Sequence, residues 1–340
     1  MSAGTGGLWL TGARVPARHH DWMRILLTGI SGFAGSALLP HLLEQGHDVR
    51  ALARDRARVE PALESITLES NRGVTLADFE LVIGDTLSGA GIVEAMRDVE
   101  VAYYLIHSME PSGGDPFPAR ERASAQTFAD AARAAGVGRI VYLGGPRPPE
   151  RSSTHLSSRY AVERILLDGV PGSVALRASI VIGARSRSFR FLVRLLERLP
   201  VIALPAWRRF RTRPVDERDL VAMLAACASD ASVSGRALEI AGPETLTYGE
   251  IVERIAELMM LARPSIGLGV TVTPIAARIA AALTREQPEL ILPLMEGLTG
   301  DLLLGGEDAA AALQVELHSF DSAVEHALCE WEKLEPLAAR

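Results

Sequence analysis

Three glycines set three apart, Gly29, Gly32 and Gly35, stand where an apolar run gives way to a helical pattern, and their chemistry is that of a phosphate cradle. Gly29 allows the chain to leave Ile25 to Thr28 through a tight turn, and Gly32 lets backbone N–H groups approach a pyrophosphate with no Cβ between. Gly35 lets the helix pack closely on the strand. The helix N-terminus then turns its positive dipole end to the phosphates. Thr28, Ser31 and Phe33 complete the candidate cradle. An NAD site of this kind usually carries Asp or Glu at the end of the next strand to accept from the ribose hydroxyls, whereas Arg there suits a 2′-phosphate. This chain has Arg54, followed by Asp55, Arg56 and Arg58. A guanidinium stays charged and grips phosphate through two parallel hydrogen bonds, so NADP(H) is the expected cofactor and NAD(H) the alternative. The competing reading of the same corner is a solvated basic turn in which Asp55 caps the next helix.

Further groups able to do chemistry follow at the ends of apolar runs. Asp85 is either a hydrogen-bond partner for an adenine ring or a turn residue before a helix. His107 comes after a later run, with Ser108 and Met109, where the nicotinamide half of a dinucleotide would pass. On one helical segment His155 titrates near neutral pH, which suits acid/base work. Tyr160, on the same segment, needs a nearby cation to favour its ionised form, and Arg164 at i+4 shares its helix face. Arg164 supplies charge but relays no proton, because a guanidinium does not deprotonate. Tyr160, His155 and His107 are therefore the candidate catalytic residues, each set against a purely structural reading as a packed tyrosine or a satisfied histidine. From Ser186 to Leu199, Arg187, Arg190, Arg194 and Arg198 line one helical face, and Arg208, Arg209, Arg211 and Arg213 follow. Such a stripe either meets an anion (a substrate, cofactor phosphates, acidic lipid headgroups) or forms a solvated face on a core helix.

The elements that must hold these groups alternate. Leu26 and its neighbours form a first strand, and Leu38, Leu39, Leu42 and Leu43 give the next helix an apolar face that ends at Gly46. A second strand runs up to Arg54. Further strands are predicted at Leu81–Ile83, Val101–Ile106, Arg139–Leu143, Val174–Ile182 and Arg236–Ile240, with an alanine-rich helix at Ala123–Ala135. Strands and helices at this spacing predict an α/β fold, a Rossmann-type doubly wound parallel sheet with helices on both faces. Its ligands belong beyond the carboxyl ends of the strands. The expected division is a leader-like or disordered tail over 1–22, a NAD(P)-binding domain over 23–244, and a smaller, mostly helical substrate-side lobe over 245–340.

Composition narrows the partners. The 340 residues carry a net charge of -7, which argues against a general nucleic-acid binder because such proteins need a basic face. A small, partly apolar and anionic substrate fits better, with peripheral membrane contact left open by the arginine stripe. No apolar run reaches the length of a membrane span. Cys227 and Cys329, far apart, read as buried thiols in a reducing compartment, and the expected location is the cytoplasm. His19 and His20 lack further ligands, so no metal site is expected. Oligomeric state is left undetermined.

The stretches TGISGFAG, VAYYLIHSM, RIVYLGG, HLSSRYAVERIL, ALRASIVIG, RTRPVDERDL and EIAGPETLTY together resemble the atypical short-chain dehydrogenase/reductase superfamily, and within it the bacterial NAD(P)H-binding NmrA-like and nucleoside-diphosphate-sugar-epimerase-like groups. The likeness runs from Met23 to at least Glu296. Members commonly use Ser, Tyr and Lys, with Tyr and Lys four apart. Here the matching segment offers Tyr160 and Arg164, the serine position falls on Gly144 or Gly145, and the single lysine is Lys333. The resemblance therefore implies an oxidoreductase or epimerase-like enzyme lacking the usual triad. The alternative it implies is a non-catalytic NAD(P)(H)-sensing regulator or assembly subunit.

Overall fold

Eight strands form one parallel sheet in the computed structural model, which describes residues 22–70, 73–106, 117–148, 154–267, 300–303, 305–335 and 337. In chain order the sheet uses β1 (Arg24–Thr28), β2 (Asp48–Ala53), β3 (Glu80–Ile83), β4 (Val101–Tyr104), β5 (Arg139–Gly144) and β6 (Val174–Ala178). Across it the order is β3, β2, β1, β4, β5, β6, extended by β11 (Ala237–Ile240) and β14 (Glu307–Asp308). Chain order reverses between β1 and β4, and ligands of such sheets bind at that switch point. Alternation in the strands explains why both faces are covered. Ile25 and Leu27 enter one apolar cluster and Leu26 the other, all fully buried, as expected for parallel strands sandwiched by helices.

On one face lie α1 (Phe33–Glu44), α2 (Glu60–Ser70) and α7 (Glu217–Ala226); on the other lie α3 (Ile92–Ala95), α4 (Phe117–Ala135) and α5 (Thr154–Gly169). A third cluster forms where α6 (Arg187–Arg198), α8 (Tyr248–Leu258) and the last helix (Phe320–Leu334) meet, built on Phe189, Val193, Ile251, Ile255, Phe320 and Trp331. The chain beyond residue 245 serves both regions. α8 and the last helix belong to the third cluster, whereas β14 and the short helix Ala309–Leu313 return to the main sheet beside β11. None of the described helices is long and apolar enough to cross a membrane.

Several sequence expectations are corrected. The strand expected over Val174–Ile182 breaks at Ser179: β6 pairs with β5 and β11, and β7 (Val181–Ile182) leaves to pair with β10 (Val215–Asp216). The strand from Val101 ends at Tyr104, and the alanine-rich helix starts at Phe117, with Pro118 in its first turn where the missing N–H costs nothing. Cys227 is buried as expected, but Cys329 is exposed on the outer face of the last helix. The tail over 1–21 lies outside the described residues.

Candidate functional site

The glycine turn sits at the switch point. Gly29 has a φ of +74°, and a Cβ there would come within 2.6 Å of the Leu105 carbonyl oxygen at the end of β4. A Cβ on Gly35 would meet the Gly29 carbonyl oxygen at 2.3 Å, so α1 is packed against the turn as closely as backbone allows. Gly32 differs. It is exposed, its N–H closes the turn on Gly29 O at 2.8 Å, and a Cβ there would meet only that oxygen, at 3.1 Å. Gly32 also caps α1 without any side-chain acceptor, and the first turn of the helix holds no acidic residue. An exposed Cβ-free corner leading into an uncapped helix N-terminus fits a pyrophosphate.

The flanking candidates divide. Ser31 is exposed and Phe33 half-buried at the mouth of the turn. Thr28 is turned inward: its hydroxyl donates to Tyr103 O (2.8 Å) and accepts from Leu105 N–H (3.1 Å), tying β1 to β4. It supports the turn from beneath and offers no side-chain contact at the surface. Arg54 stands exposed just past β2, with no ion pair to another described residue. Asp55 caps the following short turn through Ala57 N–H (2.9 Å), and Arg56 pairs with Glu60 (3.2 Å). Asp85, half-buried after β3, holds Leu87 N–H at 2.9 Å, so it is at least a turn residue. His107 lies outside the described residues, as do Ser108 and Met109.

Past β5 the chemistry is rearranged relative to expectation. Of the two glycines at the serine position, a Cβ on Gly144 would come within 2.8 Å of the Tyr142 ring, whereas one on Gly145 would meet only Leu156, at 3.4 Å. The Tyr142 hydroxyl donates to Arg159 O (3.2 Å), and burial pushes its pKa up to about 12. Arg159, which sequence reasoning missed, donates to Leu143 O (2.6 Å) at the end of β5, with its guanidinium 5.4 Å above the Tyr142 ring. The only hint was its position, one helical turn beyond His155. His155 stacks on Phe117 with ring centres 5.8 Å apart, and burial together with Arg159 lowers its pKa, leaving it neutral near pH 7. Below it Ser158 donates to the buried Glu121 at 2.9 Å.

Tyr160 and Arg164 do not pair. Arg164 turns outward to Asp168 at 3.3 Å, and the cation beside the tyrosine is instead Arg177 of β6, 5.9 Å from the ring centre. Arg177 is itself held by Glu163 (2.8 and 2.7 Å) and faces Glu239 at 3.7 Å. The arginine stripe of α6 is divided, with Arg187 and Arg198 exposed and the two residues between them engaged. Arg190 and Arg194 both pair with Glu335 and lie 4.3 and 5.0 Å above the Trp331 ring, clamping the last helix. A surface groove of about 460 Å³ between Arg208, Arg209, Glu250 and Glu253 shares no residue with the glycine turn.

Residues 22–257 match the model of the NmrA-like family. An uncharacterised protein of Mycobacterium tuberculosis strain H37Rv is 26% identical over 263 residues, covering 76% of this chain and 25% of its own length. The chain thus spans about a quarter of the mycobacterial relatives it matches. The 2-alkyl-3-oxoalkanoate reductase of Stenotrophomonas maltophilia is 28% identical over 302 residues, 79% of this chain and 85% of that protein. Among solved structures, the UDP-glucuronic acid 4-epimerase of Bacillus cereus in complex with NAD superposes with a TM-score of 0.67 at 16% identity, covering 92% of this chain and 97% of that one. That likeness is one of fold.

Proposed function

The chain belongs to the NmrA-like family, and on that premise we propose that it binds NADP(H) at the glycine turn and acts as a cytoplasmic oxidoreductase on a small, partly apolar carbonyl or quinone-like substrate. The observation that carries the reading is the cradle itself: Gly32 exposed and Cβ-free, on an uncapped α1, at the sheet's switch point. Ser31, Gly32 and Phe33 would hold the pyrophosphate with backbone N–H groups, and Arg54 would take the 2′-phosphate. Preference for NADP(H) over NAD(H) rests on Arg54 standing exposed and unpaired among the described residues, while Asp55 and Arg56 are engaged elsewhere. When bound, the cofactor supplies the hydride. The chain's own part is to hold charge and move a proton without the Ser-Tyr-Lys triad. Neutral His155 and Tyr160 on α5 are the acid/base candidates at that end of the sheet, together with His107, and residues 245–340 contribute the substrate side.

Calorimetric titration of wild type and Arg54→Ala with NADPH and NADH tests the cofactor. Loss of one charge-assisted hydrogen bond, about 1.5–3 kcal/mol, should weaken NADPH about ten- to a hundredfold and leave NADH unchanged. Equal affinity of the wild type for both coenzymes would defeat the preference. Turnover of NADPH with a carbonyl and quinone panel tests the reaction. One observation favours a second reading, a non-catalytic NAD(P)(H) sensor: glycines stand at both 144 and 145 where the family's serine would fall, and the cation beside Tyr160 is a guanidinium, Arg177, which relays no proton. A coenzyme-binding protein inert across the panel, whose binding to a partner changes with coenzyme, would support that reading instead.

A further inference from the structure

The helices that follow β4 and β5 are joined near their starts by two matched pairs. On α4, Phe117 and Glu121 are one turn apart and share a face, and on α5 His155 and Ser158 do the same. Phe117 stacks on His155, with the ring planes 23° from parallel, and one turn along Ser158 Oγ donates to Glu121 Oε2 at 2.9 Å. Both members of this second pair are buried, Glu121 with 7% and Ser158 with 2% of its surface exposed. Burying a carboxylate is costly, and packing alone does not call for one. The next rung is made of hydroxyls. Ser124, three residues after Glu121, accepts from Tyr104 Oη at 3.0 Å and lies 2.5 Å from Thr86 Oγ1.

The groups around His155 thus include one buried acid that the proposed reaction has not used. Burial holds Tyr104 of β4 and Tyr142 of β5 protonated, the latter with its pKa pushed up to about 12. The charges that act on the His155 ring are Arg159 of its own helix, which opposes protonation, and Glu121 of α4, which favours it. We infer that Glu121 is a positioning residue for the proton step: through Ser158 it fastens the start of α5, and it sets a buried negative charge one helical turn along from His155 that balances the imidazolium formed when the ring takes a proton. This assignment rests on the oxidoreductase reading above and deepens it. In the direction of alcohol oxidation, the substrate's hydride leaves for the oxidised coenzyme, its hydroxyl proton passes to neutral His155, and the carbon–oxygen bond becomes a carbonyl. Arg159 keeps the ring free to accept that proton, and Glu121 makes the proton tolerable once it has arrived.

Two readouts separate this role from packing, and NMR supplies the first. In wild type the side-chain carboxyl carbon of Glu121 should show an ionised carboxylate at pH 7; a protonated acid there overturns the inference without any variant. Glu121→Gln keeps the size and an acceptor oxygen but removes the charge. His155 should then titrate at lower pH, by less than the upward shift given by Arg159→Gln, because Arg159 acts on the ring more strongly. Glu121→Asp restores the charge and should bring the titration back toward wild type. The second readout is NADP+-dependent oxidation of an alcohol panel. In Glu121→Gln the acid limb should move to lower pH by as much as the histidine does, and kcat above the limb should fall with KM for the alcohol unchanged. An unshifted His155 in folded Glu121→Gln, or a shifted one with an unmoved acid limb, overturns the inference and leaves the oxidoreductase reading in place. Should Glu121→Gln fail to fold, the wild-type carboxyl signal decides: a step in it at the pH where His155 titrates supports the coupling, and a flat course overturns it. A wild type that oxidises no alcohol removes the oxidoreductase reading and the proton step with it.

Discussion

Gly32 and Gly35 are three residues apart in one turn, yet only Gly35 is packed tightly on backbone, and alanine at each separates that packing from the proposed phosphate contact at Gly32. At position 35 a Cβ would lie 2.3 Å from Gly29 O and 2.7 Å from Gly29 C, both backbone atoms that have no rotamer to escape into. α1 must retreat by about 1 Å to restore van der Waals separation. Overpacking of this kind costs about 1–3 kcal/mol, and the upper part of that range applies because β1 is pinned to β4 by Thr28. At position 32 the new Cβ meets only Gly29 O, at 3.1 Å, a contact that relaxes by a few tenths of an ångström. Gly32→Ala should therefore fold with stability within about 1 kcal/mol of wild type, and lose NADPH affinity at least about tenfold because a methyl group now occupies the phosphate approach. Gly46→Ala serves as control. It has a φ of +81° with nothing within 4 Å of its Cβ direction, so it should cost about 1 kcal/mol of backbone strain and leave coenzyme affinity alone. Urea unfolding followed by circular dichroism reads the stabilities and calorimetry the affinities. Wild-type stability in Gly35→Ala, or wild-type NADPH affinity in Gly32→Ala, would refute the division of labour.

Three further outcomes follow from buried charge and packing. His47, His155 and His326 all have lowered pKa values, each chiefly through burial; the unfolded chain thus takes up protons first, and stability, full above about pH 6.5, should fall as pH drops below it. His155→Phe should make that fall shallower in urea titrations from pH 7 to 5, and an unchanged slope would count against burial as the cause. Glu163→Gln strips Arg177 of its two-point partner and leaves Glu239 at 3.7 Å, so unfolding should become easier by about 3 kcal/mol; a loss below about 1 kcal/mol would mean that Glu239 suffices. Trp331→Ala empties a fully buried site between Phe189, Arg190 and Arg194 and should cost about 3–5 kcal/mol by the same assay, whereas a solvated arginine face would predict almost none.

What was legible in the sequence was what is local. The segment from β1 to β2 is read correctly because turn, helix face and helix stop are written within thirty-odd residues, and no distant partner has to be known. The break at Ser179 was not legible. Val174 to Ile182 holds no Gly or Pro to mark a break, and what draws its end away is β10, which arrives more than thirty residues later to capture Val181 and Ile182. The same holds at the candidate site. Spacing put Tyr160 and Arg164 on one helix face, but Asp168 lies another turn along and takes the guanidinium, while the cation that does reach the tyrosine comes from β6. The arginine stripe of α6 was visible, but its partner Trp331 is more than 130 positions away, and no local pattern connects the two.

The scarcity of lysine gains a physical meaning from the interior. Arg50 Nη1 donates to Glu94 O, Ala95 O and Arg97 O at 3.2, 3.1 and 2.8 Å, closing the end of α3, while its Nε holds Glu80 at 2.7 Å. Arg139 spans further, from Gly172 O to the Cys227 and Asp230 carbonyls past α7 and on to Ser234 Oγ. Fixed, planar donors pointing in several directions do this; a single ammonium on a flexible stem does not. The consequence reaches the proposed reaction. A lysine beside the tyrosine would serve both as charge and as proton carrier, and a guanidinium serves only as charge. In the proposed reaction the two duties would be split: guanidinium groups, Arg177 beside Tyr160 and Arg159 at the end of β5, would supply charge, and His155, which the Arg159 charge helps hold at a lowered pKa, would move the proton. Arg159→Gln should raise the His155 pKa followed by NMR and move the acid limb of NADP+-dependent alcohol oxidation, the direction in which the group accepts the proton, to higher pH by the same amount; a shifted histidine with an unmoved pH profile would take His155 out of the proton path and leave Tyr160 or His107 to carry it.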